Sequence, residues 1–258
     1  MTPILEATDV SVSFGGVRAL VDVDVRVEPG QLLGLIGPNG AGKTTLIDAI
    51  SGFVRYRGSV LLDGHDLSGL APHERARLGL ARTWQSVELF DDLTVRENVA
   101  VAADPSALRA LREVVSRGDG PSEATDEALR VFGLERHADA MPTALSQGDR
   151  KLVGVARAYA ATPRLLCFDE PAAGLDSRES EALGRHLREI SDRGTATLLV
   201  DHDMGLVLSI SDYVVVLEFG QVIAHGTPDV VRRDPAVIAA YLGGAGREVA
   251  AELGTEAQ

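Results

Sequence analysis

Over its first thirty residues the chain alternates apolar and polar positions: Ile4, Val10, Val12 and Phe14, then Val21, Val23, Val25 and Val27. A period of two marks strands with one buried face and predicts antiparallel pairing here. Pro29-Gly30 then turns the chain into Leu32 to Ile36, which is apolar almost throughout. Similar runs recur at Leu165 to Phe168, Thr197 to Val200 and Tyr213 to Leu217. Helix-length segments separate them, the alternation expected of a parallel sheet covered on both faces. Further strands are predicted at Ser59 to Leu62 and Ala81 to Gln85. Between the two halves the period becomes helical, at Val95 to Ala103, Ala124 to Phe132 and Lys151 to Ala160, which predicts a helical insert in an α/β protein. Within it, Asp104 to Pro121 is rich in turn formers and reads as a surface excursion without chemistry. The tail from Gly244 to Gln258 is expected to fray.

Composition narrows what such a chain can do. Among 258 residues, 25 basic against 38 acidic side chains give a net charge of -13, which repels a phosphate backbone and argues against nucleic acid as a partner. No apolar run approaches the ~20 residues that a membrane span needs, and no secretory leader is recognisable, so one compact soluble protein is expected, borrowing any membrane part from a partner. Cys167, the single cysteine, lies in an apolar run and reads as a small core residue in a reducing compartment.

The chemistry begins after the first apolar run, where Gly37-Pro38-Asn39-Gly40-Ala41-Gly42-Lys43-Thr44-Thr45 joins a strand to the helical segment Leu46 to Ile50. That is a Walker A loop. Glycines let backbone N–H groups converge on phosphate oxygens, and the following helix points its positive end at them. Asn39, Gly40, Gly42, Lys43, Thr44 and Thr45 are the candidate phosphate contacts, with Lys43 on the β/γ-phosphates and Thr44 on Mg²⁺. Leu165 to Phe168 ends in Asp169-Glu170, the form of a Walker B segment, in which Asp169 would hold Mg²⁺ and Glu170 would polarise the attacking water.

Leu145-Ser146-Gln147-Gly148-Asp149 resembles the signature sequence of ATP-binding cassette (ABC) ATPases, and with it the whole series falls into order from about Leu5 to Gly243. The resemblance implies an adenine-stacking role for Phe14, a Q-loop at Gln85 that ligates Mg²⁺ and senses the γ-phosphate, a D-loop at Ala173-Gly174-Leu175-Asp176 with Asp176 at the nucleotide, and a switch at His202. It also implies the fold: a P-loop NTPase with a RecA-like parallel-sheet core, an N-terminal antiparallel β subdomain and a helical subdomain inserted at about 88–162, in one domain over 1–243 followed by a tail at 244–258. ATP and Mg²⁺ are the implied ligands, and Glu170, His202 and Gln85 the catalytic set. The usual signature is Leu-Ser-Gly-Gly-Gln. Here Gln147 stands at a glycine position, and Asp149 either brings a carboxylate near an anionic ligand or sits in the first helical turn favouring the helix dipole; Ser146 and Asp149 also fit a capping box.

Each family member carries one Walker A loop and one signature, so Ser146 and Gly148 would serve the nucleotide of a second cassette. Arg82-Thr83-Trp84-Gln85, Glu88-Leu89-Phe90, Asp201-His202-Asp203-Met204, His225-Gly226-Thr227-Pro228 and Ala240-Tyr241-Leu242-Gly243 are similar to the ATPases of branched-chain amino acid importers. Their expected partners are a second cassette, two permease subunits and, indirectly, an extracytoplasmic solute-binding protein, with the ATPase peripheral on the cytoplasmic face of the membrane. Leu89 and Phe90 are candidates for the permease groove or for subdomain core. A soluble ABC ATPase on an assembly scaffold, of the iron–sulfur biogenesis type, and an export cassette share every nucleotide motif and stay open at this point; a small GTPase is disfavoured by the missing Asn-Lys-x-Asp pattern.

Overall fold

The computed structural model describes residues 2–83, 88–103 and 123–241. The expected strands at Leu5–Phe14 (β1) and Val17–Val27 (β2) pair antiparallel. With Arg57–Leu62 (β4) and His65–Asp66 (β5) they form a four-stranded sheet ordered β2-β1-β4-β5. The apolar runs become Leu32–Ile36 (β3), Leu165–Asp169 (β7), Ala196–Val200 (β8) and Tyr213–Glu218 (β9). Joined by Leu80–Arg82 (β6) and Gln221–Gly226 (β10), they make a six-stranded sheet ordered β10-β9-β3-β8-β7-β6, parallel except for β10. β6 ends at Arg82, one residue short of Thr83, whose N–H still donates to the Cys167 carbonyl at 2.9 Å; Trp84 and Gln85 of the expected strand lie outside the described residues.

Strand period two divides the core. Leu33 and Leu35 of β3, with Leu165 and Cys167 of β7, face the antiparallel sheet and Lys43–Ser51 (α1). Leu32, Ile36, Leu166 and Phe168 face the helices on the other side. Both faces of the parallel sheet are therefore dry, which is why its strands read as continuous apolar runs. Gly34 is required where Met204–Ile210 (α7) crosses β3: a β-carbon there would lie 2.4 Å from Val207 Cγ1.

The helical insert contains Val95–Ala103 (α3), Glu123–Val131 (α4) and Gln147–Ala160 (α5), with α5 packed on the other two. The sequence expectation started α5 at Lys151. It begins at Gln147 because Ser146 caps it, its Oγ accepting from Asp149 N–H at 3.0 Å. Asn98, fully buried on α3, donates to the carbonyls of Phe90, Leu93 and Thr94, each at 3.0 Å, and accepts from Phe90 N–H at 2.9 Å. One amide thus pins the turn that presents Phe90.

Two short helices escaped the periodicity, Pro72–Arg77 (α2) and Pro228–Val231 (α8). Arg75 of α2 is buried and donates from Nη1 to the carbonyls of Ala49 and Ile50 at 2.7 and 2.8 Å, serving the open C-terminal end of α1. Ser177–Asp192 (α6) follows β7 and leads into β8.

Candidate nucleotide site

Three parallel strands deliver chemistry at their C-terminal ends, side by side in the order β3-β8-β7. β3 runs into the glycine loop, β7 ends in Asp169 followed by Glu170, and β8 is followed by Asp201 and His202. That edge of an open parallel sheet is where ligands bind in doubly wound proteins.

The loop is shaped by backbone freedom. Gly40 and Gly42 have φ of 79° and 103°, and a β-carbon on Gly42 would lie 2.7 Å from the Ala19 carbonyl oxygen. Gly42 caps α1 without a side-chain acceptor, which leaves the first-turn N–H groups to a ligand. Asn39, Gly40 and Thr44 are exposed and Thr45 is half-buried. Lys43 is buried, and its ammonium donates to the Gly37 carbonyl at 2.7 Å and to that of Pro38 at 3.2 Å. Burial pulls its pKa below the ordinary lysine value, against the opposing charges of Glu170, Asp169 and Asp201. Those three carboxylates and Lys43 therefore share one electrostatic neighbourhood. Glu170 has φ of 50°, and its N–H donates to the Val200 carbonyl at 2.7 Å, tying β7 to the end of β8.

Asp169 has a partner that the motif reading missed. Arg82 donates from Nη2 to Asp169 Oδ2 at 2.8 Å and from Nη1 to Asp48 Oδ1 of α1 at 2.6 Å, with its own side chain 6% exposed. The guanidinium also stands 5.8 Å from the centre of the Phe53 ring. His202 is exposed, with Nδ1 3.3 Å from Asp201 Oδ1. Phe14 is 53% exposed at the end of β1, paired with Val17 across the hairpin. Gln85 lies outside the described residues.

The remaining expected contacts form a separate group. Ser146 is exposed, whereas Gly148 is buried where a β-carbon would meet Glu179 Oε1 at 2.6 Å; both line a cavity of about 140 Å³ between α5 and α6. Asp149 turns its carboxylate to the Ser146 hydroxyl, which donates at 2.9 Å, so of the two readings the helix-turn one describes it. Glu/Asp reciprocity of a full capping box is absent there but present on α6. Asp176 accepts from Arg178 N–H and Glu179 N–H at 2.8 and 2.9 Å, and Glu179 reaches back to Asp176 N–H at 3.1 Å. Within this chain Asp176 is a helix cap.

Comparison with known proteins decides what this edge belongs to. A family profile described as "ABC transporter" matches residues 20–173, and one described as "Branched-chain amino acid ATP-binding cassette transporter" matches 221–247. The chain belongs to the ABC transporter ATP-binding family. The cassette is an ATPase by that membership. It is 38% identical over 250 residues to the high-affinity branched-chain amino acid transport ATP-binding protein BraF of Pseudomonas aeruginosa, covering 93% of this chain and 98% of that one. The same figures hold for the corresponding protein LivG of Escherichia coli K12. A nucleotide-free ATP-binding cassette from an ABC transporter has the same fold, with a TM-score of 0.79 at 30% identity over 93% of this chain and 99% of the other.

Sequence reasoning overlooked Arg82, Lys151 and Asn98 as site-shaping residues. Arg82 carried one available signal, a charge at the end of an apolar stretch, whereas Lys151 follows Asp149 and Arg150 and carried none; the partners of both are distant in sequence and invisible to a local pattern.

Proposed function

We propose that the cassette hydrolyses ATP to drive uptake of branched-chain amino acids, or a related small polar solute, through partner permeases. The observation that carries this reading is the convergence of Lys43, Asp169, Glu170 and His202 on one sheet edge, in a chain similar throughout to transport ATPases of that solute class. The single domain spans 1–243 with the helical insert at about 88–162, and the chain works on the cytoplasmic face of the membrane.

The residues fit a magnesium nucleotide. The exposed Thr44 hydroxyl and the Asp169 oxygen that Arg82 does not hold are the oxygens the protein offers, and phosphate and water would complete the shell around the ion. Bound Mg²⁺ would neutralise phosphate charge and help orient the nucleotide. Gln85 is its third candidate ligand. The first-turn N–H groups and Thr45 receive phosphate, Lys43 exchanges its Gly37 and Pro38 carbonyls for phosphate oxygens, and Asn39, Gly40 and Gly42 line the cradle. Phe14 stacks on adenine. Glu170 orients and polarises water for attack, and His202, oriented by Asp201, faces the terminal phosphate. Ser146 and Gly148 reach the nucleotide of a second cassette, beside the D-loop that ends in Asp176, so hydrolysis requires a dimer.

Among the described residues no helix is long and apolar enough to cross a membrane, so transport requires a membrane partner. A groove of about 840 Å³ opens between the edge strand β6 and the helical insert, lined by Ala81, Thr83, Phe90, Val101, Arg157 and Ala158 among others. A cytoplasmic segment of the permease occupies it. Phe90 is 45% exposed there under the Arg157 guanidinium, 5.7 Å from its ring centre, whereas Leu89 is 8% exposed and belongs to the core. Both candidate docking residues line the groove, and Phe90 offers it the larger exposed surface.

Glu170→Gln is the test of the chemistry. It should retain ATP and lose hydrolysis by about a hundredfold or more, the ordinary scale for a lost general base; undiminished turnover removes Glu170 from the role. In cells lacking the native gene, Phe90→Asp should abolish leucine uptake while the purified protein still hydrolyses ATP. Normal uptake by that variant refutes the docking assignment.

A further inference from the structure

The turn directly after Glu170 is gripped by two buried side chains of opposite charge. Lys151, on α5 and 7% exposed, donates from Nζ to the Pro171 carbonyl at 3.0 Å and to the Ala173 carbonyl. Asp201, after β8 and 1% exposed, accepts from the Ala172 N–H between them through Oδ2 at 3.1 Å. Its other oxygen accepts from Asp203 N–H at 3.0 Å and stands 3.3 Å from His202 Nδ1. Gln147, at the start of α5, lies over the next residue of the turn: its Nε2 is 3.3 Å from where a β-carbon of Gly174 would stand.

A buried ammonium is costly, and among the described residues no carboxylate lies within ion-pair distance of Lys151. Asp201 and Glu179 support its charge only from farther away. An apolar side chain of similar length would fill the same space without desolvating a charge. What the ammonium does, and a methionine cannot, is hold two carbonyls that alternate with the N–H held by Asp201. The Pro171 carbonyl and the Ala172 N–H are the two ends of one peptide group, which is thereby gripped from both sides, and the group that follows Ala173 is held by its carbonyl. The turn is continuous with Glu170, whose carbonyl accepts from Ala173 N–H at 3.2 Å and whose own φ is 50°, a conformation that a glutamate keeps only when its surroundings impose it.

We propose that Lys151 and Asp201 are positioning residues that clamp the 171–173 turn, linking the signature helix and the switch histidine of one cassette to the conformation of Glu170. Lys151 sits just over one helical turn beyond Ser146, so any tilt of α5 on engaging nucleotide pulls on the turn through Lys151. Asp201 carries the corresponding displacement from His202. Lys151 and Asp201 meet through hydrogen bonds to neighbouring backbone groups of one turn, and the path needs no rearrangement of the sheet. The inference rests on the ATPase reading above.

Lys151→Met, Lys151→Arg and Asp201→Asn test it in the full chain, with a fluorescent ATP analogue for affinity, steady-state hydrolysis for kcat and KM, and amide exchange for the turn. Lys151→Met should bind the analogue within about twofold of wild type and keep KM, yet lose about tenfold or more in kcat, because Glu170 is displaced and the phosphate loop is not. Lys151→Arg should recover to within about threefold, since a guanidinium also donates to two carbonyls. Exchange at Ala172 to Leu175 should accelerate in Lys151→Met with β7 unchanged. Wild-type kcat in Lys151→Met overturns the clamp, as does a parallel loss of nucleotide affinity, or an arginine variant no better than the methionine one. Should Lys151→Met not fold, Asp201→Asn decides by the same kcat-against-KM split, because it keeps the shape and turns one acceptor into a donor. If wild type itself neither binds nor hydrolyses ATP the ATPase reading falls, and the exchange comparison still decides the clamp.

Discussion

Replacing Arg82 by methionine keeps a long side chain between β6 and α1 and removes the charge that two carboxylates share. Asp169 is left with 9% of its side chain exposed and Asp48 with 27%. Removing one partner of a buried pair costs about 3–5 kcal/mol, because the other charge stays desolvated. Asp48 can recover part of its hydration, which places the expected loss near the lower end, at about 3 kcal/mol. At a urea dependence of about 2–3 kcal/mol per molar, the midpoint should fall by about 1–1.5 M. A second measurement separates the carboxylates. If Asp169 meets Mg²⁺ in the nucleotide complex, Mg-ATP supplies Asp169 with a replacement cation and does nothing for Asp48. The gain in melting temperature from saturating Mg-ATP should therefore be larger in Arg82→Met than in wild type, by linkage. A midpoint within about 0.3 M of wild type would refute the energetic argument, and an equal nucleotide-induced gain in both proteins would refute the placement of the cation at Asp169.

Cys167 is fully buried, and burial pushes its thiol from 9.0 up to about 12, so at pH 8 its alkylation in the native protein should be about a thousandfold slower than in urea; rapid native labelling would mean that β7 is not covered as described. His186 on α6 is half-buried against Phe132, ring centres 5.5 Å apart, and burial lowers its pKa below 6.5. Its neutral form is the one that fits, so stability is fully present above about pH 6.5 and declines as pH falls through the unfolded value towards the folded one; His186→Gln should flatten that slope in urea titrations, and an unchanged slope assigns the acid sensitivity elsewhere. Burial pushes the Tyr241 hydroxyl up to about 12, opposed by the backbone of Gly37, which puts the ring beside the start of the glycine loop; Tyr241→Phe should weaken ATP binding by up to about tenfold, the range of one neutral hydrogen bond, and unchanged affinity would rule Tyr241 out as a support of the loop.

What the sequence revealed and what it hid separate along a physical line. The dry strands β3, β7, β8 and β9 were legible because a strand buried on both faces has no polar position to interrupt it. The glycine loop was legible because its shape needs residues without side chains in consecutive turns, a requirement satisfied within a single short segment. α5 was read as starting too late because its first turn holds Gln147, Gly148 and Asp149, which carry no apolar period, and only the Ser146 cap marks its start. α2 was missed because its one buried side chain is an arginine, whose burial is explained by carbonyls at the end of another helix. Leu89 and Phe90 are adjacent and similarly apolar, yet Leu89 is nearly buried while Phe90 stands out into the groove that both line; the Asn98 side chain that fixes the Phe90 backbone reaches it from α3, eight residues on.

The same line runs through the candidate site. Motifs identify groups that meet the nucleotide because chemistry restricts those residue types at fixed spacing. The groups that hold their surroundings, Arg82 on Asp169, Asp201 on the Ala172 N–H and Lys151 on the carbonyls of the turn after Glu170, meet their partners across strands and helices. A long positive side chain could satisfy such carbonyls or carboxylates from several positions in the fold, so no spacing rule singles out the one used. Relatives sharing the Walker residues can consequently differ in how Glu170 and Asp169 are held, and such differences would tune hydrolysis without altering any nucleotide contact.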